Sequence, residues 1–180
     1  MSNKWLFFPS SNIIVDGLIL HLDAGNSSSY SGSGTTWTDL SGEGNNGTLV
    51  NGTSYTSDDG GSLVFDGTND YVNLGAVQIN TAAGTIGMWI KLDSTVGRFF
   101  GRGGNFESRF SSNGVSDATG TCSTVSTKTG DMNIGRSSGM GGAGGLYVDG
   151  KIAAFHSYNR VLTLTEIQSN FNSTKTRFGI

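Results

Sequence analysis

The run Thr85-Ile-Gly-Met-Trp-Ile-Lys-Leu92 constrains this chain more than any other segment. Successive side chains of a strand point to opposite faces, so Ile86, Met88, Ile90 and Leu92 share one side and Thr85, Gly87, Trp89 and Lys91 the other. Such a strand needs a second layer to bury its apolar side. Leu18, Leu20 and Leu22 repeat the pattern against Ile19, His21 and Asp23. Leu63-Val64-Phe65 and Tyr71-Val72-Asn73-Leu74 follow, joined by Asp66-Gly67-Thr68-Asn69-Asp70, a loop of residues whose side chains cap their own backbone. With 29 glycines against one proline, Pro9, the chain is built for many tight turns, and collagen-like or proline-rich organisation is excluded. The expectation is all-β, and 180 residues suit one such domain.

Two dipeptides predict hairpins. Asn51-Gly52 lies between the strand signals at 47–50 and 53–55, and Asp149-Gly150 between those at 146–148 and 151–158; both tolerate the positive φ of two-residue hairpin turns. One helix is expected over about 164–172. Thr163 and Glu166 have the spacing of a capping box, Leu162 and Ile167 that of a hydrophobic staple, and Ile167 and Phe171 share a face. Residues 101–145 are rich in Gly, Ser and Thr, with strand character only at 106–110 and 132–134, so long loops are expected there. Trp37, set between turn signals, reads as a core anchor in preference to a sugar platform.

A net charge of −3 with 14% charged residues gives no footprint for a phosphate backbone or an anionic membrane, so nucleic acid is not an expected partner. Arg98, Arg102 and Arg109 gather near Phe99-Phe100, but Glu107 interrupts them and a solvated strand face accounts for them. The lone Cys122 forms no internal disulfide. Lys4 precedes only four apolar residues before Pro9, too few for a secretion signal, and no apolar run approaches the ~20 residues of a membrane span. No membrane insertion is expected.

Glycoside hydrolysis needs two opposed carboxyl groups, and no such pair is evident. Glu43, Glu107 and Glu166 are isolated, while Asp58-Asp59 and Asp66 with Asp70 sit in turns. The chain is therefore expected to be no enzyme, with no catalytic residues. His21 and His156 stand far apart on separate strands, with no further ligand at metal spacing. The only candidate cofactor is calcium, for which Asp66, Asn69 and Asp70 offer hard oxygens in one loop; the competing reading is a plain capped turn. Residues 1–16 read as an arm. Trp5, Leu6, Phe7 and Phe8 are costly to leave in water and need cover, from this sandwich or from another subunit.

The runs Gly17-Leu-Ile-Leu-His-Leu-Asp-Ala-Gly25-Asn26, Gly34-Thr-Thr-Trp37-Thr-Asp39-Leu-Ser-Gly42, Asn45-Asn-Gly-Thr48 and Gly61-Ser-Leu-Val-Phe-Asp-Gly-Thr-Asn-Asp-Tyr-Val72 resemble the concanavalin A-like lectin/glucanase (laminin-G-like) superfamily. The closing Gly150-Lys-Ile-Ala153, Tyr158-Asn-Arg-Val-Leu162, Glu166-Ile167 and Lys175-Thr-Arg-Phe-Gly179 are similar to its subgroup in tailed-phage structural proteins. The resemblance implies a jelly-roll β-sandwich of two antiparallel sheets with one short C-terminal helix over 17–180, preceded by the arm at 1–16. It implies a virion structural or decoration protein, present in several copies and attached through Trp5, Leu6, Phe7 and Phe8 to capsid, neck or tail subunits. The alternative is a glycan-binding adhesion module that recognises host-surface carbohydrate through loops between Phe99 and Gly145. Relatives carry a strand with Trp and His before the final hairpin; residues 111–145 contain neither, so that region is expected to be remodelled.

Overall fold

The alternating runs condense into an all-β sandwich of two antiparallel sheets with one short C-terminal helix. The computed structural model describes residues 13–77, 84–94, 96–102, 106–111, 131–136 and 147–180, with the backbone alone at 96–99, 102 and 106–111. The strands are β1 (Leu18–Asp23), β2 (Thr36–Trp37), β3 (Gly47–Val50), β4 (Ser54–Thr56), β5 (Ser62–Asp66), β6 (Tyr71–Asn73), β7 (Thr85–Leu92), β8 (Val96–Arg102), β9 (Phe106–Ser111), β10 (Met132–Ile134) and β11 (Asp149–Tyr158). Among the described residues, one sheet has five strands, with β11 at its centre, and the other has six in the order β2-β3-β6-β10-β8-β9.

β11 pairs with β7 from Gly150 to Tyr158 along one edge. Its other edge is shared end to end, by β5 at 149–152 and by β1 at 154–158. Where β1 gives way to β5, the backbones of Gly25 and Gly61 touch: a Cβ on Gly61 would lie 2.7 Å from Gly25 Cα, and Gly61 has φ 107°. No side chain fits that junction. Between the sheets lies a core of Leu20, Leu22, Trp37, Leu63, Phe65, Val72, Phe100, Ile134, Ile152 and Phe155. Trp37 is fully buried, as its position between turns predicted.

Both predicted hairpins are absent. Asn51 does adopt the left-handed conformation, φ 69°, yet β3 pairs with β6 and β2 in one sheet while β4 pairs with β5 in the other. The turn crosses between layers because its donors find long-range acceptors: Gly52 N–H donates to Asp70 Oδ1 at 2.6 Å and Asn51 Nδ2 to Asn69 O at 2.6 Å. Asp149 and Gly150 begin β11 itself, and Asp149 pairs with Asp66 of β5. Turn chemistry sets a local reversal; burial of both layers decides which strands then pair.

Helix α1 (Leu164–Thr174) runs two residues past its predicted end and continues into a 3-10 turn at Lys175–Phe178. Its capping box forms as the sequence implied, with Thr163 N–H donating to Glu166 Oε2 at 2.8 Å and Glu166 N–H to Thr163 Oγ1 at 3.3 Å. Arg160 Nη2 donates to Glu166 Oε1 at 2.6 Å, and these bonds, the Arg160 one foremost, hold the Glu166 carboxyl down at about 2. No helix among the described residues is long and apolar enough to cross a membrane.

The free edge of β1 is covered by the loop at 39–46, organised by the buried carboxylate of Asp39. Asp39 Oδ1 accepts from the N–H groups of His21 and Ser41, each at 2.9 Å, and Oδ2 from Asn45 N–H at 2.9 Å and Ser41 Oγ at 2.7 Å. Asn45 Nδ2 in turn donates to Ile19 O at 2.7 Å. Occupying the open donors and acceptors of an edge strand guards it against pairing with another chain. Asp39→Ala strands three backbone N–H groups at once and is expected to lower stability by about 3 kcal/mol in urea unfolding, with Asp39→Asn less damaging. An unchanged unfolding midpoint in Asp39→Ala contradicts this role.

Candidate functional site on the outer face of the six-stranded sheet

The two outer faces of the sandwich differ in what covers them. On the five-stranded sheet, Trp89 of β7 stacks on Phe171 and Phe178, with ring centroids 5.3 and 4.3 Å apart, and its Nε1 donates to Thr174 Oγ1 at 2.7 Å. Asn170 Nδ2 reaches Tyr158 Oη at 2.9 Å, and Arg177 Nη1 pairs with Asp23 Oδ1 at 2.6 Å. Helix α1 and its 3-10 turn thus cover this face around Trp89 and Tyr158, while the row of Lys91, Lys151, Val64 and Ser54 beyond them stays exposed or half-exposed.

Beneath that cover lies a pair the sequence kept apart. The β1–β11 register sets His21 opposite His156, with ring centroids 4.7 Å apart, and Gly87 of β7 flanks His156 on its other side. His156 Nε2 is buried without a hydrogen-bond partner. Burial first, then His21 and Arg177, hold the His156 imidazole down to about 3. Burial also lowers His21, opposed by the charges of Asp23 and Asp39. Both rings are therefore neutral near pH 7. Among the described residues, no group of three His, Cys, Asp or Glu side chains is placed to hold a metal ion.

The outer face of the six-stranded sheet carries no helix among the described residues. Alternation turns Leu49 and Val72 into the core and Thr48, Val50, Tyr71 and Asn73 outward. Register then aligns Thr36, Thr48, Asn73, Asn133 and Gly101 in one row across five strands, with Val50 opposite Tyr71 in the row beside it. Asn73 Nδ2 donates to Asp131 Oδ2 at 2.9 Å and Asn73 Oδ1 accepts from Gly75 N–H at 2.6 Å. Asn133 Nδ2 donates to Asp131 O at 3.1 Å, while its Oδ1 is buried with no partner.

Arg136 completes the face. Gly135, with φ 85°, lies so close to the Phe65 ring that a Cβ would come within 2.6 Å of it; this left-handed step ends β10 and leads into Arg136. Its guanidinium carbon then sits 3.8 Å from the centroid of the Tyr71 ring, a cation–π contact, and its Nε is buried without an acceptor. Tyr71 and Val50 offer apolar area, Thr48, Asn73 and Arg136 offer hydrogen-bonding groups, and an amide nitrogen or oxygen with one partner retains capacity for a second. Such a face suits a ligand with C–H patches and many hydroxyls.

The sequence-derived candidates fall elsewhere. Asp66 Oδ1 accepts from the N–H groups of Thr68 and Asn69, at 2.8 and 3.4 Å. Asp70 is buried, its Oδ1 taken by Gly52 N–H and its Oδ2 by Asp66 N–H at 3.2 Å. These carboxylates serve their own turn, and Asn69 contributes its backbone carbonyl to Asn51. Trp5, Leu6, Phe7 and Phe8 lie outside the described residues, as does most of the loop region between Phe99 and Gly145. Of that region, β10 and Arg136 do reach the face just described. A separate cleft of about 450 Å³ opens beside Ile19, Glu43, Asn45, Asn46, Leu74 and Val77, but Asn45 and Asn46 are engaged with Ile19 and Asp39.

No family model and no characterised protein sequence matches this chain. Among solved structures, it is similar to the Trypanosoma rangeli sialidase in complex with sialic acid, at 14% identity and a TM-score of 0.56, over 89% of this chain and 33% of that one. The chain thus spans about a third of the sialidase's length, and the likeness shows the fold.

The buried histidines make stability depend on pH. A His156 held at about 3 stays neutral in the fold while the unfolded chain takes up a proton below about 6.5, so stability is complete above that value and falls as pH drops toward 3. Between pH 6.5 and 5 the expected loss is about 2 kcal/mol, at 1.4 kcal/mol per unit. His156→Leu keeps the volume, removes the orphaned nitrogen and should reduce the slope of the urea-unfolding free energy over that interval, leaving the smaller share due to His21. An equal slope in the variant contradicts the assignment.

Proposed function

We propose that this chain is a non-catalytic carbohydrate-binding module whose ligand lies on the outer face of the six-stranded sheet. The observation that carries the reading is the group of Thr48 and Asn73 beside Val50, Tyr71 and Arg136, exposed or half-exposed on the sheet face that no helix covers among the described residues, next to the buried Asn133. A pyranose ring presents C–H patches and hydroxyls together, which an apolar and aromatic surface edged with amides and a guanidinium matches on both counts. The likeness in fold to a sialidase solved with sialic acid supports a carbohydrate ligand.

Binding without turnover is the simpler reading of the acidic residues. Glu166 is committed to Arg160 and to its helix cap, Glu43 stands in an exposed loop, and Asp39, Asp66 and Asp70 accept from backbone N–H groups. A place on a virion remains the expectation set by sequence resemblance, and an adhesion module that contacts host-surface sugars is compatible with it; attachment to the particle would then fall to Trp5, Leu6, Phe7 and Phe8.

The test is a glycan array with the full chain, followed by calorimetry on the best ligand. Tyr71→Ala and Asn73→Ala are expected to weaken binding about tenfold or more each. Phe171→Ala, on the helix-covered face, should leave affinity unchanged. A flat array, or hydrolysis of the retained sugar, overturns the reading.

A further inference from the structure

Resting on that reading, we infer that the glycan is acidic, and that Arg136 is the subsite for the carboxylate of a carboxylated sugar ring. The other well-placed cations each have their own anion: Lys151 pairs with Asp58 at 3.2 Å, Arg160 with Asp16 at 2.7 Å and Glu166 at 2.6 Å, and Arg177 with Asp23 at 2.6 Å. Arg136 has no carboxylate partner among the described residues. It is nonetheless half-buried, with one face of its guanidinium against Tyr71 and its Nε shut away without an acceptor.

A partly desolvated cation with no counter-ion is costly, and a bound anion relieves that cost. The contact with the Tyr71 ring holds the guanidinium in place, and its two terminal nitrogens, unlike the buried Nε, remain to form the fork that takes a carboxylate bidentately. Ordering the side chain in advance reduces the entropy lost on binding.

The nearby acids do not fill this role. Asp66 and Asp70 are turned to the N–H groups of Thr68, Asn69, Gly52 and Asp66. Asp131 precedes β10 and Arg136 follows it, so the two flank opposite ends of that strand. Asp131 anchors Asn73, so the face is polarised, with the cation at the Tyr71 end and the anion at the far end. A net charge of −3 supplies no general attraction for anions, so any preference for acidic sugars must be local.

Two sources share this chemistry, the hexuronic acids and the sialic acids. The experiment measures binding of the full chain to uronate oligosaccharides, to sialylated oligosaccharides, and to the same compounds with the carboxyl reduced to an alcohol, in low and high salt. The expected result is at least about tenfold tighter binding of one acidic series than of its reduced counterpart, weakened by salt. Arg136→Gln should erase that preference while keeping affinity for the neutral form, and Arg136→Lys should restore part of it. Thermal unfolding of each variant separates loss of the fold from loss of the subsite. Equal binding of acidic and reduced sugars overturns the acidic subsite and leaves carbohydrate binding standing. A preference that survives Arg136→Gln overturns the role of Arg136, and absence of binding to every sugar removes the proposed function together with this inference.

Discussion

β11 is the strand on which the rest of the molecule depends. It pairs along one edge with β7 and along the other with β5 and then β1, so it holds four strands in one sheet. Its inner face carries Ile152 and Phe155 into the core, where Phe155 meets Phe100 of the opposite sheet at 5.0 Å between ring centroids. Its outer face carries His156 and Tyr158 beneath helix α1. A strand buried on both faces has no solvent side to spare for polar residues, yet this one holds His156 and Ser157 with Nε2 and Oγ unpartnered, and the packing compels the imidazole to stay neutral. Because β11 is near the end of the chain and β1 near its start, the central ladder closes only over long sequence separation, which slows folding.

The consequence is an asymmetric sandwich. One sheet gives the part of its outer face around Trp89, Tyr158 and the Arg177–Asp23 pair to the helix. The other keeps Thr48, Val50, Tyr71, Asn73 and Arg136 without such a cover among the described residues. Strands fix side chains more tightly than loops do, and Gly135 sets where β10 stops and Arg136 begins. The same packing that stabilises the fold therefore leaves one pre-ordered surface, with a cation lodged on an aromatic ring.

Much of the fold was legible in the sequence because its signals are local. The alternation of Leu20 and Leu22 in β1, the capping box at Thr163 and Glu166 and the buried Trp37 each need only a few neighbouring residues to be read, whereas a register shift sends Leu18 to a second cluster with Tyr158 and Leu162. Asn51-Gly52 and Asp149-Gly150 misled for the converse reason: only Asn51 and Gly150 take positive φ, and the pairing is decided by β6, β5 and β7, distant in sequence. The histidine pair was hidden in the same way, since 135 residues separate two rings that register brings face to face. Half of the candidate site carried a signal: alternation in Tyr71-Val72-Asn73-Leu74 already sets Tyr71 and Asn73 opposite the core. Arg136 carried none, in a glycine-rich stretch whose meaning depends on the Phe65 ring behind Gly135.

The central claim is that the outer face of β3 and β6 with Arg136 beside it, and no other surface, receives the ligand. Chemical-shift mapping on isotopically labelled protein, titrated with a carbohydrate that the chain retains, tests this most directly. The account predicts the largest changes at Thr48, Val50, Tyr71, Asn73 and Arg136, with Trp89, Phe171 and Phe178 unmoved. Changes centred on helix α1 or on the cleft around Glu43 and Asn45, with Tyr71 silent, would contradict it.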